Sequence, residues 1–234
     1  MLSALPLIPK LILATGQEPP LPIFVIQAAS MLQSSILLFA MVLLGAWLSP
    51  KVNLGAPVID AFLNKSWSGV NFKKILVFAT IGGVIGGLVL IAFYQFCRPY
   101  LPEDFLKNAE EFSPPVYTKL LYGGITEEIL IRWGLMSFFV WCTYRCTQSQ
   151  GSQIKDRNYI VAIFLSALIF GLAHLPAAQM LSTMVTVELL TYIIVGNSIF
   201  GFIAGFLYWK QGLESAVLAH MFAHVVMFVG EKFV

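Results

Sequence analysis

The sequence predicts an all-α, polytopic membrane helix bundle of about six to eight transmembrane helices. Three observations carry that fold class. Of 234 residues, 58% are hydrophobic and only 11% charged, against roughly 25% charged in ordinary soluble domains. Several apolar runs reach the roughly 20 residues a helix needs to cross a hydrocarbon core about 30 Å thick. Strand-like alternation with regular turns is absent, which argues against a closed barrel. Residues 1–234 read as a single membrane domain without a sizeable extramembrane part.

Met1–Ala14 has its one basic residue, Lys10, after the apolar run, the reverse of a cleavable signal, and reads as mature chain. Pro22–Leu48 is the first span. Ile75–Cys97 is the second, and its Gly82, Gly83, Gly86 and Gly87 form a small-residue face for close helix packing. Ser49–Lys74, between them, carries Lys51, Lys65, Lys73 and Lys74 against Asp60 alone. The positive-inside bias puts this loop in the cytoplasm. Leu101–Phe112, with Glu103, Asp104, Glu110 and Glu111, suits a short interfacial helix stopped by Pro114 and Pro115.

Tyr117–Cys146 would be about 45 Å long as a straight α-helix, so it is expected to tilt strongly or to break near its central charges. Gly123 and Gly124 are expected to break the long helix there, with the close approach of a substrate backbone as the alternative. The loop Thr147–Asn158, with Arg145, Lys155 and Arg157 in or beside it, again indicates cytoplasm. Tyr159–Leu175, stopped by Pro176, is followed by Ala177–Val195, Ser198–Trp209 and Leu213–Val229. Gly201 and Gly205 are assigned to packing. Cys97, Cys142 and Cys146 are odd in number and sit in or beside apolar runs, so buried packing is expected rather than a disulfide framework. The net charge of +2 is scattered, with no basic run to meet nucleic acid.

The chemistry lies in polar groups that apolar segments do not retain without cause. Glu127, Glu128, Arg132, His174, His220 and His224 would each cost about 2.5–3.5 kcal/mol or more if carried unpaired to a bilayer centre. Glu128 and Arg132 stand at i and i+4 and pair, which leaves Glu127, about 100° around the helix, as the uncompensated carboxylate and the candidate base for water. A purely structural ion cluster is the plain alternative. Phe170-Gly171-Leu172-Ala173-His174 puts an aromatic ring and an imidazole on one helix face. His220 and His224, also at i and i+4, are expected to converge on one point, a spacing suited to metal or to paired hydrogen-bond donors. One carboxylate and three imidazoles from three helices match what water needs to attack a carbonyl: a base, and donors for the developing oxyanion.

The order E-E-x-x-x-R, F-x-x-x-H, then a last H-x-x-x motif, all in membrane helices, resembles the CPBP (Abi-like) family of CAAX prenyl endopeptidases and bacteriocin-processing intramembrane proteases. The resemblance spans 117–229, the catalytic core, and includes the Gly201, Gly205 and Gly212-Leu213-Glu214-Ser215 run. It implies an intramembrane endopeptidase acting on a membrane-associated or prenylated protein or peptide. It also implies that Glu127 and His174 activate water, that His220 and position 224 stabilise the oxyanion, and that Glu128, Arg132 and Phe170 support the site. The family more often shows Asn or Asp where this chain has His224. Histidine can donate to an oxyanion or bind metal, so two versions stand: no cofactor, or zinc on His174, His220 and His224 as a metalloendopeptidase. The metal-free version is preferred, because asparagine in relatives would break a three-histidine site.

Two other classes compete. A transporter would keep intramembrane charges too, but inverted repeats and paired broken helices are not evident. A non-catalytic scaffold would not need every acid, base and donor position retained. Glu188, Thr191 and Asn197 are assigned to interhelical hydrogen bonds, with Glu188 a candidate for lining a water route. The expected partners are membrane lipid and a membrane-associated peptide or protein substrate. In a bacterial cell such a protein belongs in the inner membrane.

Overall fold

A computed structural model describes Pro9, Ile12, residues 19–149, residues 151–230 and Lys232. The reading of Met1–Ala14 as mature chain lies, apart from Pro9 and Ile12, outside the described residues. The described residues form an integral, multi-pass, all-α bundle. Five of its helical segments are long and apolar enough to cross a bilayer: Ile23–Val52, Phe72–Tyr100, Asp156–Met180, Val187–Gln211 and Leu213–Gly230. A further, composite helix, residues 116–147, packs against them. Large apolar side chains such as Phe24, Phe96 and Val187 are more than 70% exposed, a surface that only lipid would cover at low cost.

Helix α1 (Ile23–Leu48) follows Pro22, and a short 3₁₀ turn at Ser49–Val52 ends it. The lysine loop contains a helix that its composition did not reveal, α2 (Pro57–Leu63), opened by proline at its first position. Helix α3 (Phe72–Cys97) starts at Asn71, whose side chain accepts from Lys74 N–H at 2.9 Å. Helix α4 (Glu103–Phe112) ends before the two prolines as expected.

The one-turn α5 (Val116–Thr118) runs without interruption into the π-wound stretches Lys119–Glu127 and Ile129–Met136 and then into α6 (Ser137–Thr147). The excess length of this segment is therefore absorbed by wider i→i+5 winding, and Gly123 and Gly124 do not break the helix. After it come α7 (Asp156–Ala173), α8 (Leu175–Met180), α9 (Val187–Gln211) and α10 (Leu213–Gly230). Helix α7 ends just before Pro176, as expected, and Pro176 then opens α8, because proline is tolerated in a first turn. The two expected segments Ala177–Val195 and Ser198–Trp209 share one helix, α9. Asn197 does not interrupt it: its side-chain amide donates to Ile193 O at 2.8 Å along the same helix, not across to another. Glu188 and Thr191 are exposed on α9, and Cys146 is exposed rather than buried.

Small residues set the tightest crossings. A methyl group at Gly83 would lie 2.5 Å from Ala219 O, and one at Gly87 2.7 Å from Val226 Cβ, so the backbone of α3 closes on both backbone and side chains of α10. Gly201 meets Ala167 and Gly205 meets Ile163 in the same way where α9 crosses α7. Helix α1 lies behind the composite helix, where Trp133 Nε1–H donates to Val42 O at 3.1 Å.

Helix α4 is docked at the end of the bundle away from the lysine loop. Asp104 accepts from Thr183 N–H and Oγ1–H, both at 2.7 Å, and from Ser182 Oγ–H at 3.0 Å. Leu101 and Phe105 pack with Ala178, Leu181 and Leu189. These donors, Thr183 first, hold the Asp104 carboxyl below its usual range despite some desolvation. A lowered native value makes the stabilisation complete above the ordinary aspartate value of about 3.9 and lost as pH falls through the native one. Thermal unfolding in detergent should therefore place Asp104→Asn below the parent protein at neutral pH, with the gap closing as pH falls below about 4.

Candidate active site

The composite helix, α7 and α10 bring the intramembrane polar groups together. Glu128 is the one α-helical residue between the two π-wound stretches, and its side chain is fully buried. Its Oε2 lies 3.2 Å from Arg132 Nε, as the i, i+4 spacing predicts, and Arg132 is equally buried. The contact is an ion pair without good hydrogen-bond alignment. The guanidinium also stands over the Phe170 ring at 5.1 Å, where the π face offsets part of its desolvation. On its other side, Glu128 Oε1 accepts from His220 Nδ1–H at 2.8 Å.

Glu127 points elsewhere. Its Oε1 is 3.9 Å from His174 Nε2, with the two side chains 17% and 32% exposed. That separation is too long for a direct hydrogen bond and suits a bridging water. His174 follows the last turn of α7, and its Nδ1–H donates to Phe170 O at 2.8 Å. Phe170 is thus the hub of the site, its ring edge-on to His174 at 4.7 Å and to His220 at 6.1 Å.

The partners assign the ring protons. A carbonyl oxygen only accepts, and so does a carboxylate paired with arginine, so both Nδ1 atoms carry hydrogen. Neutral His174 and His220 therefore present Nε2 as an acceptor. Donation from His220 Nε2 requires the doubly protonated ring.

His220 and His224 bring both Nε2 atoms to the Gly123 backbone, where a methyl group would lie 2.6 Å from His224 Nε2 and 3.5 Å from His220 Nε2, and their rings stack with centroids 4.8 Å apart and planes 23° apart. His224 fits because Gly123 has no side chain. Gly124 admits Met221 similarly, at 2.5 Å from Cγ. The two glycines thus serve the approach of α10 to the glutamate helix. Among the described residues, no group of three or more His, Cys, Asp or Glu side chains has the spacing of a metal site. By that spacing His174, His220 and His224 do not make up a three-histidine zinc site.

All seven residues singled out in the sequence fall in or against this cluster. Two that the sequence did not signal join them. Phe200 on α9 lies 4.5 Å from the His220 ring, and Lys119 faces His224 closely enough to act on it electrostatically, as His174 does. Neither sits at a recognisable spacing from a histidine, so only the folded packing identifies them. An apolar cleft of about 490 Å³, bounded in part by Phe72, Ile125, Ile129 and Val217, flanks the glutamate helix, and its walls include Glu214 but none of these groups.

Among known proteins, the family model for the type II CAAX prenyl endopeptidase Rce1-like group matches residues 110–226, half of the chain. No curated protein and no solved structure matches.

Removing one partner of the buried pair leaves an uncompensated charge, at a cost of about 3–5 kcal/mol. Arg132→Ala is expected to lower the unfolding temperature in detergent sharply. Arg132→Met combined with Glu128→Gln should fall less than Arg132→Ala alone.

Proposed function

The chain belongs to the Rce1-like family of type II CAAX prenyl endopeptidases, and from that premise we propose that it hydrolyses a peptide bond of a membrane-associated or CAAX-type prenylated protein or peptide. The observation that carries the mechanism is the 3.9 Å separation of Glu127 Oε1 and His174 Nε2, two acceptors close enough for one water beside them to bond to both. A water there donates one hydrogen to each. As its oxygen attacks the substrate carbonyl, Glu127 takes the proton, and the C–O bond forms while the carbonyl oxygen becomes an oxyanion. Glu127 then returns the proton to the amine as the C–N bond breaks.

The oxyanion falls to the stacked histidines. His224, as a neutral ring protonated on Nε2, donates directly, whereas His220 donates only when doubly protonated. Glu128, Arg132 and Phe170 act as positioning residues: they fix the His220 ring and the height of the helix that carries Glu127. A helical substrate hides its carbonyls in its own hydrogen bonds, so the scissile segment must be extended when it reaches this pocket. The apolar exterior supports a membrane-anchored substrate, and in a bacterial cell an inner-membrane location.

Glu127→Ala and His174→Ala should each abolish cleavage of a prenylated CAAX-type peptide in detergent while leaving the unfolding temperature near that of the parent. Normal turnover by either variant would overturn their roles. His224→Ala should lower kcat by about a hundred- to thousandfold, the usual effect of losing one oxyanion donor. Gly123→Ala, which drives a methyl group against His224, should reduce it in the same direction. Activity that persists through chelation, with no stoichiometric zinc by elemental analysis, is the expected result for the metal-free mechanism. Zinc lost together with activity would contradict it.

A further inference from the structure

The lysine-rich end of the bundle carries a second constellation of charged and aromatic groups, outside the glutamate and histidine cluster. Helices α1 and α6 finish there, beside the 49–71 and 148–155 loops that the positive-inside bias puts in the cytoplasm. Trp47 lies in the last turn of α1, and the 3₁₀ turn at Ser49–Val52 folds Lys51 back until its Nζ stands 3.8 Å above the Trp47 ring. Trp141 and Arg145 repeat this i, i+4 arrangement on α6, with the guanidinium carbon 5.9 Å from the ring centre. The two tryptophans, far apart in the chain, meet with ring centroids 6.4 Å apart.

This meeting is built into the packing. Gly45 admits the Trp133 ring, Gly134 leaves room for Met41, and Trp133 Nε1–H donates to Val42 O at 3.1 Å. Helix α1 is therefore locked onto the composite helix within about two turns of the tryptophan pair, so the rings beneath the two cations hold one relative position. A third cation comes from the far side of the 148–155 loop, where Arg157 Nη2–H reaches Thr147 O, at the end of α6, at 3.5 Å. Among the described residues no carboxylate pairs with Lys51, Arg145 or Arg157. Lys210 stands over Trp209 at 3.3 Å in a comparable way, but Trp209 stacks on Tyr159 and meets Phe206, and among the described residues no second cation covers those rings.

Position selects the ligand. Cations gathered without a carboxylate favour an anion, and at the depth where indoles mark a membrane interface that anion is a phospholipid phosphate. Trp47 is 58% exposed, and Leu43 and Phe39, one and two turns further from the interface on α1, are 53% and 66% exposed, so an acyl chain can lie along the helix below the cations. Lys51 and Arg145 stand over the indoles, where the ammonium of a choline headgroup would otherwise be drawn, and repel it. A headgroup with net negative charge meets no such repulsion.

We propose that Lys51, Arg145 and Arg157, above the Trp47 and Trp141 pair, bind the phosphate of one anionic membrane phospholipid whose acyl chains lie along α1. The lipid bridges α1 to the helix that carries Glu127 and so stabilises the bundle. This site does not depend on the protease reading.

The test is native mass spectrometry of the full chain in detergent with phosphatidylglycerol, phosphatidylcholine or inorganic phosphate added, together with the unfolding temperature in each. The parent protein should retain one phosphatidylglycerol in preference to phosphatidylcholine and unfold at a higher temperature with it, while inorganic phosphate does not raise that temperature. Lys51→Gln combined with Arg145→Gln should weaken phosphatidylglycerol binding by roughly ten- to thirtyfold, the combined effect of two cations at an anionic lipid surface, and should remove the added thermal stability. Lys65→Gln combined with Lys210→Gln takes the same charge from the same face and should leave both unchanged. All four side chains are exposed, so both double variants should fold like the parent. The proposal is overturned if phosphatidylcholine is retained equally, if inorganic phosphate reproduces the stabilisation, or if the Lys51 and Arg145 variant binds like the parent. Equal loss of the lipid by the Lys65 and Lys210 variant, the mark of net charge alone, would overturn it too.

Discussion

The Glu128 carboxylate, fully buried between Arg132 and His220, is the constraint on which the rest of the arrangement depends. An isolated carboxylate or guanidinium at that depth would cost several kcal/mol, so neither can be buried without the other. The pair is made within one helix, and the bond to His220 then fixes the height and rotation of α10 against it. Once α10 is set, His224 comes to rest over Gly123. The ion pair is thus less a source of net stability than a device for register, holding two helices at one relative position.

The adjacent residue has the opposite character. Glu127 shares the helix but not the partners, and faces His174 across a gap of 3.9 Å. Two neighbouring carboxylates are in this way given different work by the roughly 100° between them. The π-winding on either side of Glu128 carries the added length of the helix without a break, and π-helical stretches are often found at functional sites. Phe170 joins the two halves, its carbonyl holding His174 and its ring meeting both Arg132 and His220.

Much of this was legible in the sequence because the signals are local. The i, i+4 relation of Glu128 and Arg132 is fixed by helix geometry alone, and the glycines of α3 mark a packing face wherever that helix sits. The apolar runs gave the spans because a bilayer sets their length. What was not legible depended on partners distant in the chain. The same i, i+4 rule brought His220 and His224 to one place, but it could not show the stacking of their rings or the bond from His220 to Glu128, 92 residues away. Gly123 and Gly124 resembled a helix break because their neighbours, His224 and Met221, come from α10. Asn197 looked like an interruption, yet its amide bonds back along its own helix and α9 continues through it. Helix α2 escaped notice because its cap comes from Glu214, on the far side of the sequence.

The division of labour between the two glutamates is the central claim, and it is tested most directly by measuring turnover and unfolding temperature together for Glu127→Gln and Glu128→Gln. The account predicts that Glu127→Gln loses hydrolysis of a prenylated peptide and unfolds like the parent, while Glu128→Gln, by stranding Arg132, unfolds at a markedly lower temperature. A Glu127→Gln protein that turns over normally, or a Glu128→Gln protein that is inactive yet fully stable, would contradict it.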